Sequence, residues 1–106
     1  MAVAVASETT FTAIGSETRR TLLDALRAGE LTVTELVAAA NVSQPAVSQH
    51  LKVLKEAGLV DEHRDGRFRI YRLNPEPLAV VMTWVGAYEQ FWTERIAALG
   101  RVLDET

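Results

Sequence analysis

The chain has 106 residues, 48% of them hydrophobic and 24% charged, which is enough apolar content for one modest core and too much for a disordered segment. It contains no cysteine, so disulfides, thiolate redox chemistry and cysteine-ligated zinc are excluded, and no apolar run approaches the roughly 18 residues that suggest a membrane span. The formal net charge of −3 hides a separation: from Ser43 to Arg72, Lys52, Lys55, Arg64, Arg67, Arg69 and Arg72 face Glu56, Asp61, Glu62 and Asp65, a local balance of +2, while the rest of the chain carries −5. One basic surface on an acidic body is what local phosphate contact requires. A single domain over residues 1–106, in a reducing cytoplasm and without membrane contact, is the expectation.

The opening MAVAVAS is small and apolar but lacks the basic flank of a secretory signal, so residues 1–7 read as a frayed start. A short helix is expected around Glu8 to Ile14. Gly15-Ser16 then opens a helix with Leu22, Leu23 and Leu26 on one face, closing at Gly29. Thr32-Val33-Thr34-Glu35 has the form of a capping box and starts a helix through Ala40, with Asn41 suited to its left-handed end. Ser43 is placed to cap the next helix. Pro45 is tolerated in its first turn, where backbone amides have no intrahelical partner to lose, and Gly58 ends it. Two helices joined by "NVS" over residues 32–58 fit a helix-turn-helix, in which the second helix enters the DNA major groove.

On a 100° wheel that second helix puts Val47, Leu51 and Leu54 inward and Pro45, Ser48, Gln49, Lys52 and Glu56 outward. Glutamine pairs with adenine edges, serine donates or accepts, and lysine reaches guanine or phosphate, so the outward face has base-reading chemistry. Gln44 and Ser43 lie nearer the first-turn amides, where a phosphate can be met. His50 falls at the edge of the buried face. Its two readings are a hydrogen-bonded structural histidine and a phosphate contact.

Residues 59–73 read as a hairpin wing. Leu59 to His63 and Arg67 to Leu73 flank "RDGR", and Asp65-Gly66 is a favoured two-residue turn of type I′, which places Arg64 and Arg67 at the tip. Such a narrow positive tip suits phosphates or the minor groove, with Arg69 a further candidate contact. The bland reading is the solvated side of a ribbon.

From Asn74-Pro75 a last helix is expected to run over residues 75–103, roughly 40 Å at 1.5 Å per residue. Leu78, Val85, Trp92 and Leu99 recur every seven residues, joined by Val81, Met82, Tyr88, Ile96 and Leu103; a second strip holds Val80, Trp84, Phe91 and Val102. Together they cover about 200° of arc against the roughly 100° a surface helix needs. One strip can face its own domain and the other a second copy, so Leu78, Val81, Val85, Tyr88, Trp92, Ile96 and Leu99 are the candidate dimerisation residues.

The stretch "SQPAVSQHLKVLKEAGLV", followed by "RDGR" and "YRL", resembles the ArsR family of bacterial winged-helix repressors, and the likeness covers most of the chain. The resemblance implies a mainly α fold with a small β-hairpin wing, and a homodimeric transcriptional regulator, usually a repressor, that binds an imperfect inverted repeat in double-stranded promoter DNA. It also places DNA-reading residues early in the recognition helix, matching Gln44, Pro45, Ser48 and Gln49. Metal-sensing members carry Cys near the preceding helix or His and carboxylates on the last one. Here "TVTELVAAANV" and "LAVVMTWVGAYEQFWTERIAALGRVLDE" have neither Cys nor His, and the tail resembles a metal-independent, SdpR-like branch. No metal site and no cofactor are therefore expected, and nothing in the sequence names an effector.

Other function classes find less in the chain. A winged-helix module that binds a protein instead of DNA is the alternative, opposed by the outward Gln49 and Lys52 beside a basic tip. An enzyme would need paired carboxylates, a nucleophile with its base or a phosphate-cradling loop, and none is proposed by the sequence.

Overall fold

A computed structural model describes residues 2–93 and 95, with side chains from residue 8 onward. The chain order is α1 (Ala2–Ile14), α2 (Glu17–Leu26), β1 (Leu31–Thr32), α3 (Val33–Ala40), α4 (Gln44–Glu56), β2 (Val60–Asp65), β3 (Phe68–Leu73), a 3-10 turn (Glu76–Leu78) and α5 (Ala79–Gly86). Helical backbone resumes over residues 89–93.

Local chemistry places most of these boundaries. Ser16 caps α2 by accepting from the Arg19 amide at 3.2 Å. At α3 the Thr32 hydroxyl accepts from the Glu35 amide while the Glu35 carboxylate accepts from the Thr32 amide, so two orphan donors are satisfied reciprocally. Those bonds also hold the Glu35 carboxyl below its ordinary pKa. Asn41 takes φ 56° and turns the chain out of α3. At the end of α4, Gly58 (φ 75°) donates to Lys55 O at 3.0 Å and Leu59 donates to Leu54 O at 2.9 Å. That is the Schellman pattern, and the two residues its longer bond joins, Leu54 and Leu59, are both fully buried.

The core lies where α2, α3 and α4 meet the sheet. Leu22, Leu36, Leu51, Leu54, Leu59 and Val47 are fully buried, and Tyr71 brings the middle strand onto them. Each such side chain contributes on the order of 1.5–3 kcal/mol by leaving water. The sheet is antiparallel in the order β1-β3-β2, with Leu31 opposite Tyr71 and Val60 opposite Leu73. Asn74 ties the wing's base to the end of α4, its amide donating to Leu59 O at 2.8 Å and its side chain to Gly58 O at 2.9 Å.

Four expectations change. Helix α1 starts at Ala2, so residues 2–7 of the segment read as frayed are helical in their backbone and the helix begins well before Glu8. Strand β1 was not expected, because two residues offer no alternation to read. The wing strands run Val60–Asp65 and Phe68–Leu73 with Asp65 paired to Phe68, so the turn residues are Gly66 and Arg67, not Asp65 and Gly66. Only Gly66 of the two has positive φ, at 63°, which fits a II′ turn where type I′ would need both. The last helix is not continuous over the described residues: it breaks after Gly86, where Ala87, Tyr88 and Phe91 make i→i−3 bonds to Trp84, Val85 and Tyr88. Glycine is about 1 kcal/mol poorer than alanine in a helix interior, and the tighter turn takes over there. Of the candidate dimerisation residues, Ile96 and Leu99 lie outside the described side chains.

Within the described part of this segment, α1 packs on α5 through an edge-to-face contact of Phe11 with Trp84 at 5.7 Å. Trp84 in turn meets Tyr88, and Tyr88 meets Phe91. Leu78 packs against the core, and Val81, Val85 and Trp92 are half-buried. Met82 remains 74% exposed and Phe91 62%, while Trp84 and Tyr88 are also exposed. Trp84, Val85, Tyr88 and Trp92 line a shallow, open hollow of about 340 Å³.

Candidate nucleic-acid interface

The reading helix α4 is fixed from both ends and from behind. Ser43 caps it by accepting from the Ala46 amide at 3.3 Å, Pro45 sits in its first turn, and Val47, Leu51 and Leu54 are at most 1% exposed. The face opposite is open: Ser43, Gln44, Pro45, Ser48, Gln49 and Lys52 are all exposed. These residues stand on one rigid, capped helix with no protein partner for the Ser48, Gln49 or Lys52 side chains among the described residues. Their donors and acceptors are thus open to a partner outside the chain, and they are of the types that pair with base edges.

His50 is placed differently. It is half-buried at the edge of α4, and its Nδ1 lies 3.2 Å from Arg19 Nη1 of α2. It therefore has a structural partner, as one of the two sequence readings anticipates, and does not join the outward row.

The four wing arginines separate into two classes. Arg64 and Arg67 are exposed and unpaired among the described residues, with Arg67 in the turn itself. Arg69 is committed: its Nη2 donates to Glu62 Oε2 at 2.8 Å and lies 3.0 Å from the Tyr71 hydroxyl, which donates to the same carboxylate oxygen at 2.6 Å. Lys55 of α4 approaches that oxygen at 3.8 Å, so the cluster also spans helix and wing. Hydrogen bonds from Arg69 and then Tyr71 hold the Glu62 carboxyl down at about 2, and burial followed by the bond to Glu62 pushes the Tyr71 phenol up to about 12. Arg72 pairs with Asp61 at 3.5 Å.

Sequence reasoning grouped Arg69 with the DNA contacts and missed the network. The signal was present in strand parity: Glu62 and Tyr71 are cross-strand partners and Arg69 lies two residues from Tyr71, so all three side chains share one face of the ribbon. His63, on the opposite face, is 3.7 Å from Glu30. Among the described residues no three His, Asp or Glu side chains gather as a metal-binding group.

Known proteins share this arrangement. Residues 16–62 match the family described as "Bacterial regulatory protein, arsR family". The HTH-type transcriptional regulator Rv2034 of Mycobacterium tuberculosis is 41% identical over 92 residues, spanning 87% of this chain and 83% of that protein. The transcriptional repressor SdpR of Bacillus subtilis is 39% identical over 75 residues, 71% of this chain and 83% of the repressor. Among solved structures, the homodimeric winged helix-turn-helix DNA-binding domain of Mb0332 from Mycobacterium bovis superposes with a TM-score of 0.69 at 27% identity, covering 86% of each chain. These relatives are regulators, not enzymes. With a capped reading helix, a three-stranded wing and relatives matched over most of their length, the chain belongs to the arsR family of bacterial regulatory proteins and is a winged helix-turn-helix transcriptional regulator.

Proposed function

We propose that the chain is a homodimeric repressor that binds an inverted repeat in promoter DNA, its own promoter included, without a metal. One observation carries the reading: the open row Ser48, Gln49 and Lys52 stands on a helix whose other face is fully buried, beside a wing with Arg64 and Arg67 unpaired. In this reading Ser48 and Gln49 read bases, and Lys52 reaches guanine or phosphate. Ser43, Gln44 and Pro45 present the helix start to the backbone. Arg64 and Arg67 position the wing on phosphates or in the minor groove, and Arg69 braces the wing instead of touching DNA.

The dimer is supported by the apolar surface of α5 and the residues after it. Trp84, Tyr88 and Phe91 form a run of exposed aromatic rings, the first two of them lining an open hollow, Met82 is exposed on the same helix as Trp84, and the Mb0332 domain that this fold superposes on is homodimeric. A second copy of the same surface buries such a patch by two-fold symmetry, and it sets two reading helices against half-sites about one helical turn apart.

The test is a gel-shift titration of the chain's own promoter fragment against a scrambled fragment at two salt concentrations. A specific complex that persists at the higher salt supports the reading. Binding that is equal on both fragments and vanishes with salt refutes it, because phosphate attraction alone behaves that way.

A further inference from the structure

Arg19, in the first turn of α2, joins three helices. Its Nε donates to Ala13 O at 2.7 Å and its Nη2 to Thr12 O at 2.9 Å, closing the last carbonyls of α1, while its Nη1 meets Nδ1 of His50 on α4 at 3.2 Å. The two backbone acceptors fix the plane of the guanidinium. A guanidinium has N–H donors and no acceptor, so His50 meets it with a bare Nδ1 and the ring proton resides on Nε2.

Nε2 has no protein partner among the described residues and is not sealed from solvent, since no fully buried side-chain nitrogen there lacks a partner. On α4 His50 lies between the buried side of Leu51 and Leu54 and the exposed Gln49. The edges of a helix seated in a major groove run beside the phosphate backbones. We infer that Arg19 is a positioning residue for DNA contact: it holds His50 in the Nε2–H form, and the ring donates that proton to a backbone phosphate. The inference rests on the DNA-binding reading above and extends it to a residue outside the α3–α4 pair.

Side-chain mimicry on the full chain tests it. A glutamine amide nitrogen stands about where Nε2 stands, and an asparagine nitrogen about where Nδ1 stands. His50→Gln is expected to keep promoter affinity within about twofold, while His50→Asn loses about ten- to a hundredfold, the scale of one hydrogen bond to a charged group. The loss should be the same on scrambled DNA, because phosphates carry no sequence. Arg19→Lys should lose a similar factor alone and nothing further in the His50→Gln background, since glutamine needs no partner to fix its proton. Long-range proton–nitrogen NMR correlation of the imidazole rings reads the tautomer in the wild-type protein without any variant, and a single Nε2–H species is expected for His50. An Nδ1–H ring, equal affinities for the two His50 variants, or an Arg19→Lys loss that persists beside His50→Gln overturns the inference. Wild-type protein that fails to distinguish its promoter overturns the DNA-binding reading itself, and that failure is visible before any variant is made.

Discussion

Helices α4 and α5 invert the usual relation between composition and burial. The mixed sequence of α4 buries Val47, Leu51 and Leu54 almost completely, whereas α5, written AVVMTWVG, has no buried residue at all. Apolar content does not create a core; neighbours do. Helix α4 is backed by α2, α3 and β2, while α5 meets its own domain chiefly through α1 and the 3-10 turn before it. One helix is complete within a single chain and spends its free face on polar groups. The other leaves an apolar face that only another surface can cover.

The contrast is broken most sharply at Phe91 and Leu51. Phe91→Asp is expected to abolish the dimer, since an unpaired charge buried at an interface costs about 3–5 kcal/mol, and to leave the thermal midpoint of the monomer nearly unchanged because Phe91 is 62% exposed. Leu51→Ala should act in the opposite way. It leaves a cavity behind the reading helix, costs about 2–5 kcal/mol of folding stability, and weakens the dimer only as the fold itself is lost. Sedimentation and thermal unfolding of both variants separate the two effects. Wild-type protein that sediments as a monomer at micromolar concentration would remove the proposed interface.

Within the reading head the comparison narrows to single side chains. Gln49→Ala is expected to cost about 1–3 kcal/mol on the operator and to narrow the ratio of specific to non-specific binding. Arg67→Ala should weaken every sequence alike and flatten the salt dependence by about one unit, the signature of a phosphate contact. Arg69→Ala supplies the control. Its guanidinium is held by Glu62 and Tyr71, so it should lower folding stability while leaving the salt slope close to that of wild type.

Much of this was legible in the residues, and the misses have physical causes. Caps are local chemistry, so the Thr32–Glu35 box, Asn41, Ser43 and Gly58 could be placed from sequence spacing alone. The buried and open faces of α4 follow from 3.6-residue periodicity over thirteen residues. The hairpin turn slipped by one residue because Asp-Gly and Gly-Arg are both acceptable two-residue turns, and pairing of Asp65 with Phe68 is settled across strands, not within them. The unforeseen pairing of Arg69 has the same origin: it depends on Glu62, seven positions away and joined to it only once β2 and β3 pair. Continuity of the last helix was overestimated because heptad spacing records which side a residue faces and says nothing of the Gly86 break.

The Glu62 cluster predicts a modest pH dependence that distinguishes the braced arginine from the free ones. The folded carboxyl titrates at about 2 against an ordinary value of 4.5, so between those values the unfolded chain binds more protons than the folded one. Its contribution to stability is therefore complete above about pH 5 and drains away as the pH falls toward about 2. Thermal midpoints of wild type and Glu62→Gln, followed down the acid side, should converge as the pH drops. Parallel curves would mean that the carboxylate gives no such support.

The smallest expected effect is none. A sensory metal site generally gathers about four N, S or O ligands, and sensors discriminate with thiolate or imidazole. This chain has no thiolate and two imidazoles, His50 on α4 and His63 on β2. His50 already faces Arg19, and a cation beside a guanidinium is repelled. His63 has Glu30 at 3.7 Å, which with a neighbouring carboxylate makes at most a weak surface site. Promoter affinity is therefore expected to be the same in chelator and in micromolar zinc, nickel or copper. A large, reversible loss of binding at micromolar metal that disappears in His63→Ala would overturn this, and it would make the wing a metal-responsive element.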